Sequence, residues 1–180
     1  MQEPACLYLL VGLPGAGKTT RARQVEVEAA ALRFTPDEWM ISLFGRNDPA
    51  ARDVLEGRLI WTALCALELH TNVILDFGLW GRDERSSLRW IARRLGATSQ
   101  VIYLPIDYAA QRGRVRNRFV ETPNQTWQMS EEELAKWRAQ FDEPDEAELH
   151  GTVIPEPPPG YPSWSAWAAW RWPSLPDQYA

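Results

Sequence analysis

The chain has 180 residues, enough for one domain with a continuous core, and 45% of them are hydrophobic, as in a water-soluble globular protein. A net charge of −5 argues against a dedicated binder of duplex nucleic acid, which shows a basic face, although a local basic cleft stays open. No run reaches the roughly 18 apolar residues of a membrane helix and no basic leader precedes the first apolar stretch, so the expectation is a cytoplasmic protein without a membrane partner.

The elements alternate in type along the chain. ACLYLLVG, residues 5–12, is apolar almost throughout, as a strand buried on both faces must be. A helix is expected from the GKTT segment to about Ala30, then a short strand, ALRF, ending at TPDEW. Between Pro49 and Leu69, Val54, Leu55, Leu59, Ile60, Ala63, Leu64 and Leu67 recur at helical spacing. NVILDFG is a third buried strand. A helix follows from about Asp83 to Leu95, closed by Gly96. SQVIYLPI is a fourth strand, and Asp107 caps a basic helix running to about Phe119. ETPNQTW is a loop. Ser130 and Glu133 have the spacing of a capping box at the head of SEEELAKWRAQF. GTVIP, residues 151–155, reads as a last strand. The alternation predicts a three-layer α/β fold, a parallel sheet of about five strands with helices on both faces.

Composition divides the chain at residue 155. Residues 1–154 hold the alternating elements. Residues 155–180 hold seven of the 14 prolines and four of the ten tryptophans. Ser163–Trp172 is a short helix candidate, with Trp164, Trp167 and Trp170 near one face. So aromatic a segment is expected to pack over the domain surface rather than stay disordered; a contact in a homodimer or a substrate lid is the sharper alternative. Cys6 and Cys65 sit in apolar runs and read as buried free thiols.

Gly12-Leu13-Pro14-Gly15-Ala16-Gly17-Lys18-Thr19 satisfies G-x-x-x-x-G-K-[ST] in full, between a strand and a helix. Glycines let the backbone bring N–H groups onto phosphate oxygens, and the helix that follows, through Thr20, presents its positive end. Lys18 supplies charge for the β- and γ-phosphates, and the Thr19 hydroxyl is placed for Mg²⁺. These residues, Gly12 through Thr20, predict a nucleotide site. With no guanine-reading N-K-x-D, ATP is the expected nucleotide and GTP the second choice. Asp76 ends VILD, where an acid holds Mg²⁺ directly or through water; capping the next loop is its other reading.

Three features favour phosphate transfer over a switch. Asp37, after the second strand, reads equally as a group that takes a proton from an attacking hydroxyl and as a helix-start acid, with Glu38 the fallback base. QRGRVRNRF carries Arg112 and Arg116 on one face and Arg114 and Arg118 on another; forked guanidinium groups match phosphate oxygens. No Gln or Asp stands in an evident water-positioning arrangement. Trp39 and Trp80 each follow a strand end, where they could stack on a substrate ring.

Together the glycine loop, DEW, ILDFGLWGRDER, the arginine helix and the closing W…F…P segment resemble the P-loop kinase-like ATP-binding proteins of the AAA-type kinase group, related to zeta toxins and chloramphenicol phosphotransferase, over roughly Leu7–Leu149. The resemblance implies ATP-dependent phosphorylation of a hydroxyl on a small molecule. It places the catalytic-base role on Asp37, makes Arg114 and Arg118 phosphate contacts beside Lys18, and sets Arg82 and Arg85 at the substrate pocket, their other reading being exposed helix arginines. Phe119 stands where that family's helix has Asn. Two rival readings remain: an ATPase or switch acting on a partner protein, and a polynucleotide 5′-hydroxyl kinase, which the acidic balance disfavours.

Overall fold

Alternate side chains of the central strand go to opposite faces, and each face receives its own helices. In the computed structural model, which describes residues 3–45, 48–123, 126, 128–151 and 153–179, β1 (Cys6–Val11) sends Leu7, Leu9 and Val11 into one apolar cluster and Leu10 into another. β3 (Val73–Gly78) does the same with Val73 and Leu75 against Ile74. With β2 (Leu32–Phe34) and β4 (Thr98–Tyr103), these form a parallel sheet in the order β2-β3-β1-β4. All four carboxyl ends therefore lie along one edge.

On one face α1 (Lys18–Glu28) seals Leu10 and Ile74 with Ala22 and Val25. The other face is covered by α3 (Pro49–Glu68), through Ile60, Ala63, Leu64 and Leu67, and by α4 (Arg82–Arg94), through Leu88, Ile91 and Ala92. Between β2 and α3 lies α2 (Pro36–Phe44), in keeping with the helix-start reading of Asp37; Pro36 and two acids in its first turn suit a helix start. α5 (Tyr108–Glu121) begins at Asp107, whose carboxylate accepts the Ala110 N–H at 2.8 Å. α6 (Glu131–Ala139) opens on the expected reciprocal bonds, Glu133 N–H to Ser130 Oγ at 3.1 Å and Ser130 N–H to Glu133 Oε2 at 2.8 Å. A one-turn helix, α7 (Glu146–Leu149), follows. The loop expected at residues 121–127 starts one residue late, because Glu121 is still helical, and its Asn124, Gln125 and Trp127 lie outside the described residues.

Among the described residues the sheet has four strands, not about five. Residues 151 and 153–155, expected as the last strand, are irregular, and Thr152 is not among the residues described. Gly151 has a left-handed φ of 67°, Pro155 offers no N–H to a ladder, and Val153 is 61% exposed. The Val153 carbonyl instead accepts a bond from Arg89 of α4 at 3.1 Å.

The aromatic segment completes the larger cluster. α8 (Trp164–Arg171) and the turn after it place Trp164, Trp167, Trp172, Leu175 and Tyr179 among the buried core residues. Trp167 meets Trp164 and Trp172 edge-on, at 6.0 and 5.8 Å between ring centres. Trp170 departs from the expected single face: steps of three residues fall about 60° short of a full turn each time, and Trp170 is 63% exposed, tilted over Tyr161. Polar anchors fix the segment: Trp164 Nε1–H to the Pro155 carbonyl at 2.8 Å, Ser174 Oγ to the Val54 carbonyl at 2.6 Å, and Tyr179 Oη to Glu68 Oε2 at 2.5 Å. It lies so close to α3 that a Cβ on Gly57 would stand 2.2 Å from Ser174 Oγ. Cys6 and Cys65 are free, as expected, but half-buried rather than buried. Among the described residues no helix is long and apolar enough to cross a membrane.

Candidate active site at the carboxyl edge of the sheet

The glycine loop leaves β1 where the pairing of β1 with β3 shifts register. Beyond Leu9↔Leu75 the partner of Val11 becomes Gly78, and the Gly12 N–H bonds the Gly78 carbonyl at 3.2 Å. Buried Leu13 and Ala16 root the loop in the domain. Gly15, at φ 82°, packs beneath α5, where a Cβ would be 3.3 Å from Val115 Cγ2 and 3.4 Å from the Gln111 carbonyl. Gly17 is the N-cap of α1 and has no side chain to cap it, so the first-turn N–H groups of Lys18, Thr19 and Thr20 are open to an anion. Lys18 arcs back over the loop, its ammonium donating to the Leu13 carbonyl at 3.1 Å. The Trp80 indole N–H donates to the Gly12 carbonyl at 3.3 Å, and its ring lies tilted against Trp137. Trp80 thus braces the loop, while Trp39 is 49% exposed.

Charged side chains from four other elements act on Lys18. Burial pulls its ammonium below the ordinary lysine range, the Asp76 and Asp37 carboxylates oppose this, and the Arg118 and Arg52 guanidinium groups add to it. Asp76, buried on β3, is pushed up by burial against the pull of Lys18 and Arg33. Arg33 Nη1 reaches Asp76 Oδ2 at 3.2 Å and also binds Glu26 at 3.2 Å and Glu38 at 2.7 Å. Glu38, the fallback base, is therefore engaged. Asp37 stands in the first turn of α2 with 60% of its side chain exposed, and its Oδ1 accepts from Arg52 Nη1 at 2.7 Å. It is a helix-start acid whose charge is also felt by the lysine. Arg52 Nε in turn donates to Glu56 Oε1 at 2.8 Å.

α5 divides its arginines as its period requires. Arg114 Nη1 donates to the Gly15 carbonyl at 3.3 Å, on the loop side where Arg118 also acts on Lys18. Arg112 and Arg116 line a cavity of about 380 Å³ between α5 and α6, with Phe119 and Met129, and Arg112 pairs with Glu131. Thr19 is half-buried and Thr20 exposed on the first turn of α1. Thr19 and Asp76 remain the candidate metal ligands; no group of three or more His, Cys, Asp or Glu among the described residues could hold a metal by itself.

Arg82 and Arg85 are both engaged by carboxylates of the same chain. Arg85 is fully buried, forked onto Glu148 at 2.7 and 2.9 Å and bonded to the Leu79 and Trp80 carbonyls at 3.0 and 3.1 Å. It braces the turn after β3, where Leu79 takes a left-handed φ of 44°. Arg82 pairs with Asp145 at 2.7 Å. Arg33 and Arg52 were not singled out from the sequence. The signals were a lone cation inside a three-residue strand, and an Arg–Glu pair at i, i+4 on a helix otherwise read for its apolar stripe.

A family model described as an AAA domain matches residues 7–144. No curated protein matches the chain at significant similarity. Among solved structures the fold is similar to a candidate kinase from Chloroflexus aurantiacus (17% identity, 93% of this chain and 97% of that one, TM-score 0.64). It is also similar to Chaetomium thermophilum Kti12 in complex with ADP-AlF3 (19% identity, 77% and 81%, TM-score 0.60). A third likeness is to the Mycobacterium tuberculosis APS kinase CysC in complex with AMPPNP and APS (17% identity, 66% and 73%, TM-score 0.53). At these identities the likeness speaks for the fold. With its glycine loop between β1 and α1, its parallel sheet and the match over most of its length, the chain belongs to the AAA domain family.

Proposed function

We propose that the protein is an ATP-dependent phosphotransferase that moves the γ-phosphate of ATP to a hydroxyl of a small molecule. The observation that carries this reading is the exposed Asp37 carboxylate, held by Arg52 and within the electrostatic reach of Lys18 at the open end of the glycine loop. The nucleotides named with the Kti12 and APS kinase structures support an adenine nucleotide on the same loop here.

In this reading the open N–H groups of Lys18, Thr19 and Thr20 and the Lys18 ammonium hold the phosphates. Asp37 Oδ1 is occupied by Arg52, so Oδ2 takes the proton of the acceptor hydroxyl. The acceptor oxygen bonds to the γ-phosphorus as the bond to the β–γ bridging oxygen breaks, and ADP leaves; the proton then passes from exposed Asp37 to water. Arg114 and Arg118 spread the charge of the moving group from the α5 side. Mg²⁺ suits the donor set. A buried carboxylate pushed toward its neutral form gains from a cation, and Mg²⁺ needs only one or two protein oxygens beside phosphate, which Asp76 and Thr19 supply. When bound, it offsets the negative charge on the phosphate oxygens.

Hydroxylated metabolites and antibiotics incubated with ATP and the protein, and weighed by mass spectrometry, test the reading. The expected result is a phosphorylated product that Lys18→Ala does not form. ATP turnover indifferent to that substitution, with no product across the panel, overturns it.

A further inference from the structure

We infer that Arg171, at the end of α8, is a positioning residue for the active site, acting through Glu56 and Arg52 on Asp37. The inference rests on the reading of Asp37 as the group that receives the acceptor's proton. It reaches beyond the matched family region, which ends at residue 144.

The connection is a continuous run of charged contacts. Arg171 Nη1 lies 2.8 Å from Asp53 Oδ1, and its Nη2 lies 2.8 Å from Glu84 Oε1 and 3.5 Å from Glu56 Oε2. The other oxygen of Glu56 accepts from Arg52 Nε at 2.8 Å, and Arg52 Nη1 reaches Asp37 Oδ1 at 2.7 Å. Arg52 is thus one guanidinium divided between two carboxylates, and these differ in their access to water. The Glu56 side chain is 9% exposed and that of Asp37 60% exposed.

That difference gives Arg171 its role. A buried anion depends on nearby cations, whereas an exposed one is solvated by water. Glu56 has two cations, Arg52 and Arg171, and burial together with Glu84 pushes its carboxyl up against their pull. With Arg171 in place, Glu56 is balanced from the tail side and Arg52 can extend its second arm to Asp37. Without Arg171, Glu56 claims Arg52, and the weaker competitor, solvated Asp37, loses its partner. Asp37 then gains rotamers and seldom holds the orientation needed by an incoming hydroxyl.

The test is a double-mutant cycle in the full chain with Arg171→Gln, Arg52→Gln and both, assayed for ATP turnover with the best acceptor. Arg171→Gln is expected to lower kcat about tenfold with KM for ATP within about twofold. Arg171→Lys should recover part of that loss. In the Arg52→Gln background the Arg171 substitution should add less than about twofold, because the connection is already cut. Unchanged kcat in Arg171→Gln, losses that multiply in the double variant, or a loss that tracks a lowered Tm overturns the inference. A crystal structure of Arg171→Gln reads the same point without activity, the expected change being Arg52 withdrawn from Asp37. If wild type transfers no phosphate yet Arg52 withdraws, the positioning role stands and the reading of the reaction fails. If wild type is active and the 2.7 Å contact persists in the variant, the positioning role fails alone.

Discussion

The glycine loop and the tryptophan segment are both fastened to the same sheet, by opposite means. The loop is held by main-chain bonds, left-handed glycines and a helix end, within a span of nine residues. Of its side chains, Leu13 and Ala16 root it in the domain, and Lys18 and the hydroxyls carry its chemistry. The segment from residue 155 has almost no regular main chain beyond α8 and is held by indole rings buried against strands and helices far off in sequence. A ligand-binding turn must keep its polar groups unspent, so backbone geometry secures it. A covering segment has no such duty, so apolar area secures it. Each region should therefore fail in its own way.

Removing residues 155–180 is the harshest way to break the contrast. It strips Trp164, Trp167, Trp172, Leu175 and Tyr179 from the core, and the truncated chain should lose its cooperative urea transition; a sharp transition near the parent midpoint would show that the tail is an accessory. Lys18→Ala should leave that transition in place and remove ATP turnover by at least about 1,000-fold, measured as ADP release. Asp37→Asn should keep nucleotide affinity and lower transfer roughly 100-fold or more, in the range of a lost general base. Within the tail, Trp164→Ala should cost about 3–5 kcal/mol and Trp170→Ala about 0.5 kcal/mol or less, both read from urea midpoints. The smallest effect concerns pH. Burial and the bond to Glu68 raise the Tyr179 hydroxyl from its ordinary 10.0. The folded chain therefore keeps that proton longer than the unfolded one. The stabilisation is whole below about pH 10 and is lost as pH climbs through the raised value. Tyr179→Phe should flatten that alkaline fall in melts taken between pH 8 and 11.

What could be read from the sequence follows the same division. The loop, the Asp107 cap, the Ser130–Glu133 box and the stripe of α3 are written within windows of a few residues, where spacing alone determines the chemistry. The positions of Lys18, Asp37 and Asp76 at one edge followed from strand ends in a parallel sheet. Arg85 went astray because its partner, Glu148, is 63 positions away, and a buried bidentate pair has no local signature. Arg171 and Asp53, 118 positions apart, are equally silent. The surplus strand at residues 151–155 was a short β-branched run whose flanking glycine and proline decided the outcome.

Gly57 seats the tail on α3 through an absence. A methyl there would favour α3 by roughly 1 kcal/mol, since alanine is the better helix former. The same methyl would strike Ser174 Oγ at 2.2 Å and crowd the Leu175 amide nitrogen at 3.1 Å, breaking the hydroxyl's hold on the Val54 carbonyl. An improvement to one helix would thus lift the strap lying across it and, with the strap, the guanidinium three residues upstream that steadies Glu56.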